Sequence, residues 1–181
     1  MDDTPFNVHE DYQVGDVSEV KEDRTVLPAT SNVLVRTQKA APRANEKSGV
    51  TSLNVQVQLV EGLELPELDA GGHPTGNLIK KYVGKTEFVE IPFKYDPAMR
   101  QEAMFTGKNR PFLVPYRQFL VALGYDPKNP PAIGDSWLSE LVGKEFRADI
   151  QHRAIKRKNP VSGMKEATGE FRHEFRNFRQ A

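Results

Sequence analysis

Thr51-Ser52-Leu53-Asn54-Val55-Gln56-Val57-Gln58-Leu59-Val60 decides the fold class of this chain. Leu53, Val55, Val57 and Leu59 alternate with Asn54, Gln56 and Gln58. A period of two sends successive side chains to opposite faces, so the stretch reads as a strand with one buried and one wet face. Working toward the N-terminus, residues 40–50 read as a turn-rich connection, and residues 32–39 repeat the alternation, with Val33, Val35 and Thr37 opposed to Leu34, Arg36 and Gln38. Working toward the C-terminus, residues 61–85 hold five glycines and two prolines and read as a long loop. A third strand is expected at residues 86–95, with Val89, Ile91, Phe93 and Tyr95 on one face. Pro92 lacks a ladder donor, which puts that strand at an edge or gives it a bulge.

Two short helices are expected next. In residues 115–123, Pro115 suits a first turn, Phe119, Leu120 and Leu123 form an apolar face, and Gly124 suits the stop. Residues 135–141 read as a second helix capped by Asp135, with Trp137 as a core residue and Gly143 ending it. Residues 144–152 alternate again, with Phe146, Ala148 and Ile150 inward. A basic loop at residues 153–160 leads to a last strand at residues 170–175 with a frayed end. There the period is ambiguous, because Phe178 joins Phe171 and Phe175 only at helical spacing. The sum is mainly β: a five-stranded OB-type barrel with one or two short helices and long loops. Residues 31–181 form that domain, and residues 1–30 an acidic, partly disordered arm.

The formal net charge is zero, but it is the sum of unlike ends. Residues 1–24 hold eight acids and two bases, whereas residues 144–181 hold ten bases and five acids. The absence of cysteine excludes disulfides and thiolate zinc sites. The acidic start is not a secretory leader, and no run reaches the roughly 18 apolar residues of a membrane span. A cytoplasmic location is the expectation.

Catalytic signals are weak. Gly71-Gly72-His73-Pro74-Thr75-Gly76-Asn77-Leu78 has glycines at Walker A separation but lacks the Lys and Ser/Thr that would reach phosphates and magnesium. His9, His73, His152 and His173 are scattered, no serine sits in a nucleophile elbow, and no carboxylate cluster stands out. The expectation is a non-enzyme without metal or cofactor.

The stronger signal is cations interleaved with aromatics. Arg153, Lys156, Arg157 and Lys158 crowd one segment, and Phe171, Arg172, Arg176, Phe178 and Arg179 alternate in the next. Cations track phosphates, while aromatic faces stack on bases of any identity. Arg147, Arg36, Lys39, Arg43 and Lys47 add to the cationic candidates, as do Lys80 and Lys81, and Tyr82 and Tyr95 to the aromatic ones. Each phenylalanine reads as core before it reads as a stacking platform, so the arginines and the lysine-rich segment carry more of the signal. These features predict sequence-tolerant binding of single-stranded DNA, with a structural or assembly protein as the alternative.

The order of signals resembles a group of phage-encoded single-stranded-DNA-binding proteins with an OB fold. The resemblance is carried by residues 53–60 closing on Glu61-Gly62 and by Phe119-Leu120-Val121-Ala122-Leu123-Gly124. It continues through Leu141-Val142-Gly143-Lys144-Glu145-Phe146, a basic hairpin, and a close with Asn177 and Phe178. It spans residues 30–180 by order of elements and implies a role in replication or recombination in a phage-infected cell. Many such proteins end in an acidic tail that recruits partners, whereas this chain ends basic and carries its acids at the other end. The acidic arm is thus expected either to recruit replication or recombination proteins or to compete with DNA for the basic groove. Self-association into a homo-oligomer is also compatible.

Overall fold

The computed structural model describes residues 26–95, 98, 113–160 and 163–181. The chain runs β1 (Thr30–Asn45), β2 (Val50–Leu59), β3 (Leu63–Leu68), β4 (Pro74–Lys81), β5 (Thr86–Tyr95), α1 (Val114–Ala122), α2 (Asp135–Glu140), β6 (Glu145–Lys158) and β7 (Lys165–Gln180). Five strands form one antiparallel sheet in the order β5-β2-β1-β6-β7, and β3 and β4 form a separate hairpin. Among the described residues the architecture is therefore mainly β with two short helices. No helix among the described residues is long and apolar enough to cross a membrane.

The opening stretch is β2, at the heart of the sheet. Leu53, Val55, Val57 and Leu59 are fully buried, while Asn54, Gln56 and Gln58 are half-exposed on the other face. β5 matches its expected bounds and sits at a sheet edge, and the β2–β5 register slips between Thr51 and Ser52, opposite Pro92. Both devices accommodate the missing donor.

Several expectations are corrected. β1 continues to Asn45 instead of turning at residue 40. Beyond Thr37, whose backbone still bonds Gly143 and Lys144, it pairs with β2 alone among the described residues, so Pro42 costs no second ladder there. The segment 61–85 is not a loop: β3 and β4 pair from Leu63↔Lys81 to Leu68↔Pro74, with Leu63 buried and Leu65 packed against the core. Asp135 does not cap α2; the cap position belongs to Gly134, and Asp135 lies in the first turn. Residues 153–158 are strand, because β6 and β7 pair as far as Lys158↔Lys165.

β7 also runs on through Gln180. The register slips between Arg147 and Asp149, where Asn177 takes a left-handed φ of 53°. That bulge turns Phe178 back to the face of Phe175, so two residues three apart are both buried on one strand. This explains the helical spacing without a helix.

One core cluster draws residues from all five sheet strands and both helices. Phe119 of α1 meets Phe146 and Phe178 edge-on, with ring centroids 5.4 and 6.0 Å away. Trp137 is buried as expected. Leu27, inside the segment expected to be an arm, is fully buried. Its N–H is accepted by His173 Nδ1 at 3.2 Å, and its carbonyl lies 2.8 Å from His152 Nε2. With Nδ1 accepting, the His173 proton resides on Nε2, which donates to Glu87 at 3.1 Å. This bond bridges β7 to β5. The curled sheet thus brings its two edge strands together through side chains, with no backbone ladder between them among the described residues.

Candidate nucleic-acid interface

The seam between the edge strands opens into a cleft of about 370 Å³. Its walls include Phe88, Glu90 and Pro92 from β5, and Arg172, Glu174 and Arg176 from β7, with Arg153 of β6 beside them. Alternation explains the composition. In β5 the inward positions Val89 and Ile91 leave Phe88 facing out, 63% exposed. In β7, residues 172, 174 and 176 share the face opposite His173 and Phe175.

The three arginines converge on one carboxylate. Arg176 Nη2 lies 2.6 Å from Glu174 Oε2, while Arg172 Nη2 and Arg153 Nη1 lie 2.8 and 3.3 Å from Oε1. Burial pushes the Glu174 carboxyl up, but hydrogen bonding from Arg176 and the charges of all three guanidiniums outweigh it and hold the group below its ordinary value. The Glu174 side chain is only 18% exposed, whereas those of Arg153 and Arg172 are about 60% exposed. The cluster therefore keeps net positive charge directed at solvent.

The outer face of the sheet continues from this cleft. The β-ladders place Lys39, Gln56 and Phe88 in one row across β1, β2 and β5, and Arg43 opposite Ser52 at the cleft wall. Arg36 also faces out but is held by Glu145 at 2.7 Å. Beyond the cleft, β6 and β7 project as a two-stranded arm. On it Lys156 and Lys158 are exposed and Arg157 pairs with Glu170 at 3.2 Å. Phe171 is 53% exposed, with the His152 ring 6.3 Å away.

Other expected site residues lie elsewhere. Phe178 is core and presents no face for stacking. Arg179 is engaged in a two-pronged pair with Asp149, at 3.0 and 2.7 Å. Arg147 donates to the Asn32 carbonyl at 3.0 Å and shares a second, smaller cleft with Lys80, Glu61 and Glu64, whose charges balance. Tyr82 packs against the core under Lys85, whose Nζ sits 5.5 Å from the ring. Tyr95 is half-buried at the end of β5, and Lys81 is exposed on the β3–β4 hairpin.

Two residues of the cleft escape a reading of the sequence. Phe88 carries a usable signal, a large aromatic on the wet face of an alternating strand. For Glu174 the signal is partial: Arg172 and Arg176 flank it at strand spacing, but Arg153 joins them only through the β6–β7 register.

Residues 1–25, which hold the expected acidic arm, lie outside the described residues. Among the described residues, no three His, Asp or Glu side chains group as a metal site. No family model matches the chain, and no curated protein matches it.

Proposed function

We propose that this chain is an OB-type barrel that binds single-stranded DNA with little sequence preference. β1, β2, β5, β6 and β7 supply the five strands in the order such a barrel uses, and the β3–β4 hairpin is an insertion between the second and third. Barrels of this class bind oligonucleotides on the face of the second and third strands and at the neighbouring loops. Here that face is β2–β5, with the β1–β2 turn at one side and the β6–β7 arm at the other.

The observation that carries the reading is the cleft itself: an exposed Phe88 beside Arg153, Arg172 and Arg176. A phenyl face stacks on any base, for roughly 1–3 kcal/mol per base. Arginine forks bind phosphate oxygens in pairs. Lys39 and the cations of the arm extend the track along a strand. On this reading the chain acts by binding alone, without chemistry on the nucleic acid. The role in replication or recombination that the resemblance to phage-encoded proteins implies would suit such coating activity.

Anisotropy of a labelled oligo-dT, measured across salt concentrations with a duplex control, tests the proposal. Expected are tight single-strand binding, weaker duplex binding and a steep loss of affinity with salt. Phe88→Ala should weaken single-strand binding about tenfold at every salt, since stacking carries no counterion release. No binding at low salt would sink the reading.

One observation favours the alternative of an assembly protein. Leu68 and Leu78 are 54% and 65% exposed on the β3–β4 hairpin, and Val83 beside it is 60% exposed. Exposed apolar groups gathered on one hairpin can serve self-association. Large particles forming without DNA would move that reading to first place.

A further inference from the structure

Three arginines within hydrogen-bond reach of one carboxylate raise a question of sign. By charge alone, Glu174 opposes a polyanion, and its removal should strengthen binding. The geometry points the other way. Arg153 and Arg172 are direct cross-strand partners, an arrangement in which like charges repel. Arg176 lies on the same face of β7, two positions beyond Glu174. Without an anion between them, three long side chains would splay into solvent and regain rotamer freedom. A phosphate would then have to gather them again, at the cost of that freedom.

We infer that Glu174 is a positioning residue that holds Arg153, Arg172 and Arg176 together as one phosphate-binding fork beside Phe88. The inference rests on the proposed single-strand binding and adds to it the group that preorganises the site. Glu174 uses both oxygens, Oε1 toward Arg172 and Arg153 and Oε2 toward Arg176. Three guanidiniums against Glu174 and the Glu90 carboxylate of the facing wall still leave the cleft net positive, so a phosphodiester oxygen can join the cluster without displacing it. The cleft volume, about 370 Å³, lies within the range of small-ligand sites. The ligand class is thus one phosphodiester and its neighbouring base, with the base on Phe88.

The test compares Glu174→Gln, Glu174→Asp and Glu170→Gln in the full chain, with oligo-dT across salt concentrations and thermal melting as a second readout. Glu170 faces Arg157 on the same arm, so Glu170→Gln removes one carboxylate from the same hairpin and should bind as wild type or tighter. Glu174→Gln makes the identical charge change, and should nevertheless bind about tenfold more weakly. Its salt slope should also be shallower by about 0.7 for each phosphate the loosened fork no longer neutralises. Glu174→Asp keeps the charge but is one methylene shorter, and should fall between the two. That variant keeps the test decisive if the glutamine variant melts below assay temperature. Glu174→Gln binding as tightly as wild type or tighter, with Glu174→Asp unchanged, would overturn the inference and leave single-strand binding standing. Failure of the wild type to bind would overturn both.

Discussion

At Asp149 one carboxylate fixes backbone irregularities on two other strands. Oδ1 accepts the Asn32 N–H at 3.0 Å and Oδ2 the Asn177 side-chain amide at 2.8 Å, while Arg179 reaches both oxygens. Asn32 and Asn177 both have left-handed φ angles, 61° and 53°, which asparagine tolerates better than most residues. Asp149 thus stabilises the slips in β1 and β7 that turn Phe178 inward. Hydrogen bonding from Arg179 is the main cause that holds its carboxyl at about 2, against an ordinary 3.8. A folded-state value below the unfolded one adds stability at pH above the unfolded value, and that stability is lost as pH falls from about 4 to about 2. Since Arg179 is half-exposed, the pair is worth roughly 1–2 kcal/mol after solvent screening. Asp149→Asn should lower the melting temperature at pH 7 and flatten its decline between pH 5 and pH 2. Parallel melting curves for variant and wild type across that range would remove Asp149 from the account. In the sequence Arg179 reads as a DNA contact because arginines and phenylalanines alternate around it. Its partner is 30 positions away, and no local pattern reports it.

At the level of elements, β7 divides into a core half and a solvent half. Phe178→Ala should cost about 3–5 kcal/mol of stability, because it removes a buried ring set edge-on to Phe119 and Phe146. Phe171→Ala, on the projecting arm, should leave the melting temperature within about 1 °C and weaken oligo-dT binding if that ring stacks on a base. Equal destabilisation by the two would contradict this division. Neutralising Lys156 and Lys158 should flatten the salt slope by about 0.7 for each phosphate they touch, with no change in melting. The strands β2, β5 and the first half of β6 are legible in the sequence because a buried face imposes strict alternation on residues such as Val55, Ile91 and Ala148. The outer β6–β7 arm is not legible. Its strands are held by the backbone ladder and by polar contacts, Arg157–Glu170, Asn159 on Glu166 and Thr168 on the Ile155 carbonyl, so its polar sequence carries no hydrophobic period. The β3–β4 hairpin is hidden in the same way, with glycines at its turn outweighing the short Leu63–Leu65 signal.

Across the whole molecule, net charge zero conceals a separation that matters for a polyanionic partner. Residues 1–24 carry eight acids and two bases, a net of −6, so the rest of the neutral chain carries +6. Exposed charges act over roughly a Debye length, about 10 Å at 0.1 M salt, so their influence should be greatest at low ionic strength. Leu27 fixes where this acidic segment joins the body: at His152 and His173, the latter next in sequence to Arg172 and Glu174 of the cleft. Two truncations separate charge from structure. Deleting residues 1–24 keeps Leu27 with both its backbone bonds, and should leave the melting temperature unchanged while tightening oligo-dT binding, more so at about 50 mM than at about 300 mM salt. Deleting residues 1–28 also removes a fully buried leucine and the partner of two histidines, one of which ties β7 to Glu87 of β5. Its stability should fall by an amount typical of a leucine cavity, roughly 2–5 kcal/mol, and the seam that shapes the cleft should loosen with it. Unchanged affinity in the shorter truncation would mean that the acidic segment does not compete with DNA, which would leave recruitment of a basic partner surface as the use of its charge.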